Sequence, residues 1–491
     1  MSSPATYSAL IIGSGQAATP LALAFASAGH KTALIERSHI GGCCVNEGCT
    51  PTKTLIASGR AAYITQRGQD YGIHTQSSKD GKVEVKGKKN EIYVDMLKVR
   101  QRKRDIVDQF RSGSERRLKA AGVDVLMGEG SFVDSNTVKI KMSDDGSEMT
   151  VKAEKIFINV GDRPALPALK GVQSIDPKIV LDSTSIQELD VVPEHLIVVG
   201  GGYVGVEFAQ LMRRLGAKVT ILQRGKQLLP REDPDIAVAL KDILEEDGLV
   251  VHLQTEALDI RPSDSGPGFM LRIGRGDMGL ADAIPGSHLL YAVGRTPNTE
   301  SLNLSKAGIA TNPRGYIVAS EFLETSNPNV FVMGDVKGPP AFTHVSYDDF
   351  RILKHNLLPS SASGPVAKQS TRNRLLPYVV YTDPQLGHIG LHLHEALAAF
   401  PGHKIKAAKM PMSYVARALE TDETRGVMKA VVNMDTGKIL GFTCLGMEGG
   451  EVMSVVQMAM IGNVGWEALR DAVWAHPTLS ESLNNLWGFL E

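Results

Sequence analysis

The stretch Tyr7-Ser8-Ala9-Leu10-Ile11-Ile12-Gly13-Ser14-Gly15-Gln16-Ala17-Ala18 decides the fold. A short apolar run enters a glycine turn and leaves it into an alanine-rich stretch ending near Ala28, the pattern of a buried strand, a tight turn and a helix. Gly13 permits the turn, Gly15 lets the backbone approach a pyrophosphate, and the start of the helix offers amide donors and positive partial charge. The next strand, Lys31 to Ile35, runs into Glu36, where a carboxylate accepts hydrogen bonds from a ribose hydroxyl pair. Strand, glycines, helix and acid are in register for a bound dinucleotide.

Five residues after Glu36 begins Gly41-Gly42-Cys43-Cys44-Val45-Asn46-Glu47-Gly48-Cys49-Thr50-Pro51-Thr52-Lys53, which holds three of the four cysteines in 491 residues. Such a chain is no secreted disulfide framework, and a structural metal site would need a second cysteine pair that the sequence lacks. In an ideal helix Cys44 and Cys49 would stand about 7.5 Å apart along the axis, so bridging them requires a distorted turn, which Gly48 allows. A strained, accessible disulfide is the reducible kind. Cys444 stands alone and reads as a small core hydrophobe.

The phosphate cradle repeats. His195 to Val199 reads as a strand, followed by Gly200-Gly201-Gly202-Tyr203-Val204-Gly205 and another helix, so a second dinucleotide is expected on Gly200, Gly202 and Gly205. The strand after it, Lys218 to Leu222, ends in Gln223-Arg224 instead of an acid. A neutral residue followed by Arg224, with Lys226 and Arg231 close behind, suits a 2′-phosphate, and the expectation is NADPH over NADH.

The remaining composition narrows the field. A net charge of −1 gives no field that would gather nucleic acid or anionic lipid. No run is long and apolar enough to span a membrane, and no basic leader opens the chain, so a cytoplasmic address is expected. His74 to Asn90 reads as an exposed insertion, Glu91 to Ala121 as a helix whose charges form a solvated face, and 359–371 as a linker.

The cysteine loop, with Gly41, Gly42, Cys44, Cys49, Pro51, Thr52 and Lys53 in the G-G-x-C-x4-C-x-P-[ST]-K pattern, resembles the pyridine nucleotide-disulfide oxidoreductases. That is the flavoenzyme family of dihydrolipoamide dehydrogenase, glutathione reductase and mercuric reductase. Further matches follow in family order: Val123 to Val133 with Gly130, Lys155 to Pro164 with Gly161, Leu289 to Asn298 with Gly294, Thr325 to Asp335, and His476-Pro477-Thr478-Leu479-Ser480-Glu481. The resemblance implies an α/β fold with two Rossmann-like dinucleotide-binding domains and an α+β C-terminal dimerisation domain. The domains would run 1–161 and 287–358 for FAD, 162–286 for NAD(P)H, and 372–491 for dimerisation.

By the same resemblance, Cys49 faces the flavin and Cys44 exchanges with substrate. Lys53 lies near the flavin and pairs with Glu207 across domains, Tyr203 shields the flavin, Asp335 binds the ribityl chain and Thr343 meets the isoalloxazine. His476, oriented by Glu481, serves the partner's thiols in a homodimer. The thiolate pKa is expected to fall through His476 and the helix that follows the loop. Cys43 departs from the family threonine, and is either a spectator or a third exchanging thiol. The implied function is exchange of electrons between FAD, NADPH and a small-molecule disulfide or dithiol. Alternatives are reduction of mercury or copper ions, and a flavin-bound redox sensor.

Overall fold

In a computed structural model, residues 4–73, 77–79, 82–84, 92–165, 168–264, 266–275, 281–359 and 367–491 are described. Most of the expected insertion at His74 to Asn90 lies outside them, as do seven residues of the expected linker, 360–366. Among the described residues no helix is long and apolar enough to cross a membrane.

The chain forms two compact units. The first comprises 1–54, 100–165 and 294–374. Its sheet places Ala5–Ile12 between Thr32–Glu36 and Glu148–Ile158, all parallel, with Val330–Val332 beyond the latter. Asp124–Phe132 pairs parallel with Thr32–Glu36 and then turns antiparallel onto Thr137–Met142. Both faces are covered, which is why these strands read as continuous apolar runs without alternation. Leu10, Ile12, Ile156 and Ile158 join one core cluster, while Ala9, Ile11 and Phe157 join another with Leu21 and Phe25 of the helix Ala18–Ser27. Each large apolar side chain so buried contributes about 1.5–3 kcal/mol. The chain leaves this unit through Asp162–Pro164 and returns through Arg295–Pro297, and these two short strands pair antiparallel.

The second unit comprises 55–99, 166–293 and 375–491. Its parallel sheet has the order Val250–Leu253, Lys218–Gln223, His195–Val199, His288–Tyr291, Val180–Leu181. One face packs on Val206 and Phe208 of the helix Tyr203–Arg214, and the other on Phe269, Leu271 and Ile273 of a three-stranded antiparallel sheet. The C-terminal residues build an antiparallel five-stranded sheet, in the order Tyr378–Val380, Gln385–Gly390, Lys438–Gly446, Val427–Asn433, Ile405–Pro411. The helix Gly449–Ile461 packs on it, and Cys444 is fully buried in that core.

Helix forms from Cys49 through Gln66, after the short helix Gly42–Asn46. One expectation about a helix needs correction. The charge run on Met96–Ala120 is not wholly a solvated face. Lys103 is buried, Arg102 donates to the Thr54 carbonyl at 3.0 Å, and Arg111 donates to Asn46 Oδ1 at 2.9 Å.

Candidate active site

The cysteine loop works by breaking one helix into two. Gly41 and Gly42, at φ of 110° and 62°, start the first helix, and Asn46 pins it by donating to the Gly42 and Ile40 carbonyls. Gly48 then sits so close that an added Cβ would lie 3.0 Å from the Cys43 carbonyl oxygen and 3.2 Å from Cys44 Cα. The second helix starts at Cys49, and the bend brings the two sulfurs onto one hydroxyl. Thr343 Oγ1 donates to Cys44 Sγ at 2.9 Å and lies 3.4 Å from Cys49 Sγ.

All four cysteines are free thiols. The Cys44 thiol is held well above its ordinary pKa, first by its hydrogen bond with Cys49 and then by burial. Cys43 turns away to other company. Its sulfur accepts from Arg295 Nη2 at 3.6 Å, and burial pushes its thiol up to about 11 against the pull of that guanidinium. Arg295 also donates through Nε to Asp162 Oδ1 at 2.7 Å.

An open cleft runs past this loop. Gly13, Gly15, Glu36, Gly42, Gly130, Gly161, Asp335 and Thr343, drawn from separate motifs, all line it, together with Cys43 and Cys44. Cys49 is exposed instead, and Gly294 and Lys53 are not in the lining. Asp335 is raised to about 6 by burial and by nearby Asp162, against Arg295 and Lys337.

Asn159 carries much of this architecture, and sequence reasoning missed it. Its Oδ1 accepts the Ala18 N–H at 3.2 Å and its Nδ2 donates to the Met333 carbonyl at 2.8 Å, tying the first glycine turn to the strand before Asp335. A Cβ on Gly13 would meet the Asn159 carbonyl oxygen at 2.5 Å, and one on Gly15 would meet its Oδ1 at 2.5 Å. Packing within the chain thus already demands both glycines. The available signal was that Asn159 stands where the resembled family has alanine.

The second glycine turn is built alike. Gly201 N–H donates to Gln223 Oε1 at 3.1 Å, and Gly200, at φ 113°, backs against the Ala292 carbonyl. An added Cβ on Gly205 would lie 1.9 Å from the Gly200 carbonyl oxygen. Gly202 caps the helix that Tyr203 opens. Arg224, Lys226 and Arg231 are exposed around it, Arg224 having Glu256 at 3.8 Å. Glu207 is buried and accepts the Tyr381 N–H at 2.7 Å.

Two histidine sites lie in the C-terminal region. His476 is exposed, and its Nδ1 lies 3.0 Å from both oxygens of Glu481, so Nδ1 donates to the carboxylate. Elsewhere Glu232, His388 and His392 bring ligand atoms within 4.8 Å of one another. The two imidazoles stack face to face at 4.0 Å and 17°, so their in-plane lone pairs run side by side and do not converge on one ion. His388 already bonds Thr443 Oγ1 and the Gly390 carbonyl, and burial lowers it to about 3. Glu232 accepts from Tyr378 at 2.6 Å and from Tyr203 at 3.3 Å. This is a buried hydrogen-bonded network in geometry unsuited to a metal.

Residues 7–349 match the model of the pyridine nucleotide-disulphide oxidoreductases, and residues 376–486 match the dimerisation domain of the same family. The chain is 34% identical to the probable pyridine nucleotide-disulfide oxidoreductase RclA of Escherichia coli, covering 99% of each. It is 32% identical to a mercuric reductase of Staphylococcus aureus, over 97% of this chain and 81% of that protein. It is 30% identical to the dihydrolipoyl dehydrogenase of Bacillus subtilis, over 97% and 95%. The solved structure of RclA, described as an HOCl-induced flavoprotein disulfide reductase, superposes with a TM-score of 0.84 over 98% of this chain and 99% of that one. FAD and a pyridine nucleotide are the family's cofactors, and the cleft fits the first, since its walls combine the glycine turn, the Glu36 carboxylate and Asp335. The chain belongs to the pyridine nucleotide-disulfide oxidoreductase family of flavin-dependent enzymes.

Proposed function

We propose that this protein is a homodimeric NADPH:disulfide oxidoreductase in which Cys44 and Cys49 form the redox-active pair. The observation that carries the reading is the convergence of both sulfurs on the Thr343 hydroxyl at the wall of the cleft. FAD, when bound, supplies the two-electron step between nicotinamide and disulfide. The chain's own residues handle thiols and protons. The assignment of Cys49 as the flavin-facing thiolate and Cys44 as the exchanging thiol carries over from the resemblance.

A base must take the Cys44 proton before it attacks a substrate disulfide, because the thiolate is the nucleophile. The partner subunit's His476, with Glu481 behind Nδ1, is suited to that. Cys44 then forms a mixed disulfide, and attack by Cys49 on the Cys44 sulfur releases the second product thiol. The same steps in reverse oxidise a dithiol. Gln223 and Arg224 favour NADPH, and the roles of Lys53, Glu207 and Tyr203 at the nicotinamide face carry over from the resemblance. Three thiols in one loop suit a reducing compartment such as the cytoplasm.

A second reading is reduction of a soft metal ion, with copper favoured. RclA has been solved as a Cu(II) complex, with a TM-score of 0.84 and 33% identity to this chain. Cys43 lines the cleft, but with burial pushing its thiol up to about 11 it is a poor source of thiolate for such a site. NADPH consumption with organic disulfides, dithiols under air, Cu(II) and Hg(II) separates the readings. The disulfide reading expects turnover with an organic disulfide, lost in Cys44→Ser although NADPH still bleaches the flavin. Turnover with metal ions alone would overturn it in favour of the second.

A further inference from the structure

Asp349 is fully buried on the helix Thr343–Leu357, and three groups from two other segments, Gly334–Lys337 and the chain at Arg374, close on it. Its Oδ2 accepts the Gly334 N–H at 2.8 Å and faces Lys337 Nζ at 3.2 Å, and its Oδ1 accepts from Arg374 Nη2 at 2.8 Å. A buried carboxylate with two cations and an amide is a costly arrangement, kept where geometry matters.

The choice of partners is informative. Gly334 directly precedes Asp335, and at φ 71° it is wedged so tightly that an added Cβ would meet Asn159 Nδ2 and Ser346 Oγ, each at 2.8 Å. Asn159 holds the preceding Met333 carbonyl from one side, and Asp349 holds the Gly334 amide from the other. The helix carrying Asp349 opens at Thr343, whose hydroxyl touches both active-site sulfurs. Arg374 is the last residue of the first unit, two residues before the match to the dimerisation domain begins.

We propose that Asp349 is a positioning residue that couples the Asp335 turn to the anchoring of Arg374, so that FAD binding and retention of the segment leading into the dimerisation domain strengthen each other. The inference rests on the reading of the cleft as the FAD site. Thermodynamic linkage makes it reciprocal: whatever loosens Arg374 weakens FAD by the factor by which FAD tightens Arg374.

The test uses the full-length protein, stripped of flavin and reloaded with FAD. Arg374→Gln keeps the carboxylate and its other partners, and is expected to raise the FAD dissociation constant about fivefold, with Asp349→Asn near twentyfold. Hydrogen exchange of amides 367–375 is expected to slow on FAD binding in the wild type and to lose that response in Arg374→Gln. An FAD affinity within about twofold of wild type in Arg374→Gln, or exchange at 367–375 indifferent to FAD, overturns the coupling whether or not Asp349→Asn folds. A wild-type protein that binds no FAD would instead sink the cofactor reading, and this proposal with it.

Discussion

The two glycine turns solve one problem with one geometry, one acceptor charged and the other neutral. In the first, the Ser14 N–H donates to Glu36 Oε2 at 3.0 Å; in the second, the Gly201 N–H donates to Gln223 Oε1 at 3.1 Å. Each acceptor stands at the end of the following parallel strand. Gln223 therefore preserves the structural task of an acid while removing its charge. An acid-to-amide change at this position therefore keeps the turn's hydrogen bond.

The largest effects should come from the glycines, because neither turn tolerates a methyl group. Gly13→Ala, at φ 90° and 2.5 Å from the Asn159 carbonyl oxygen, should leave a protein purified without flavin. Gly205→Ala should leave a yellow protein that NADPH no longer reduces. Each substitution should cost about 2 kcal/mol or more locally. Absorbance at purification and stopped-flow bleaching check both, and loss of both functions in each variant would break the comparison.

Gln223→Glu should come next, lowering kcat/KM for NADPH at least about tenfold while raising that for NADH, since a carboxylate repels a 2′-phosphate and accepts from ribose hydroxyls. Unchanged preference would mean that Gln223 serves the turn alone.

The first turn has buried carboxylate neighbours of its own, and they give a pH signature. Asp335 is raised to about 6 by burial, so its proton is bound more tightly in the fold than in the unfolded chain. The flavin-free protein is then relatively more stable below the unfolded carboxyl value and loses about 2–3 kcal/mol as pH rises through 6. Asp335→Asn should raise its melting temperature at pH 7.5 and leave it unchanged near pH 4. Arg224→Ala is a smaller change, raising KM for NADPH about fivefold with NADH unaffected, because an exposed guanidinium is partly screened. Glu36→Gln should matter least to the fold. It retains an acceptor for Ser14 and should leave stability within about 1 kcal/mol, with its cost confined to FAD affinity.

Both turns, the cysteine loop and the family were legible because each is a local pattern whose spacing states its geometry. What escaped reading is what long-range packing decides. Asn159 reaches Ala18 and Met333, 141 and 174 positions away, from the end of the strand Glu148–Ile158, and the motif around it states neither contact. The Arg295 bond to Cys43 joins residues 252 positions apart, so the extra thiol of the loop could not be placed from sequence. Lys103 was hidden for a related reason, since a charge run on a helix gives no sign of which lysine faces inward.

The most direct test is stepwise anaerobic NADPH titration of the flavin-loaded protein and its two serine variants. A long-wavelength thiolate-to-flavin band should form before the flavin bleaches, survive in Cys44→Ser and vanish in Cys49→Ser. Flavin bleaching with no such band in the wild type would contradict the Cys44 and Cys49 pair, and a band lost only in Cys44→Ser would reverse the roles assigned to the two sulfurs.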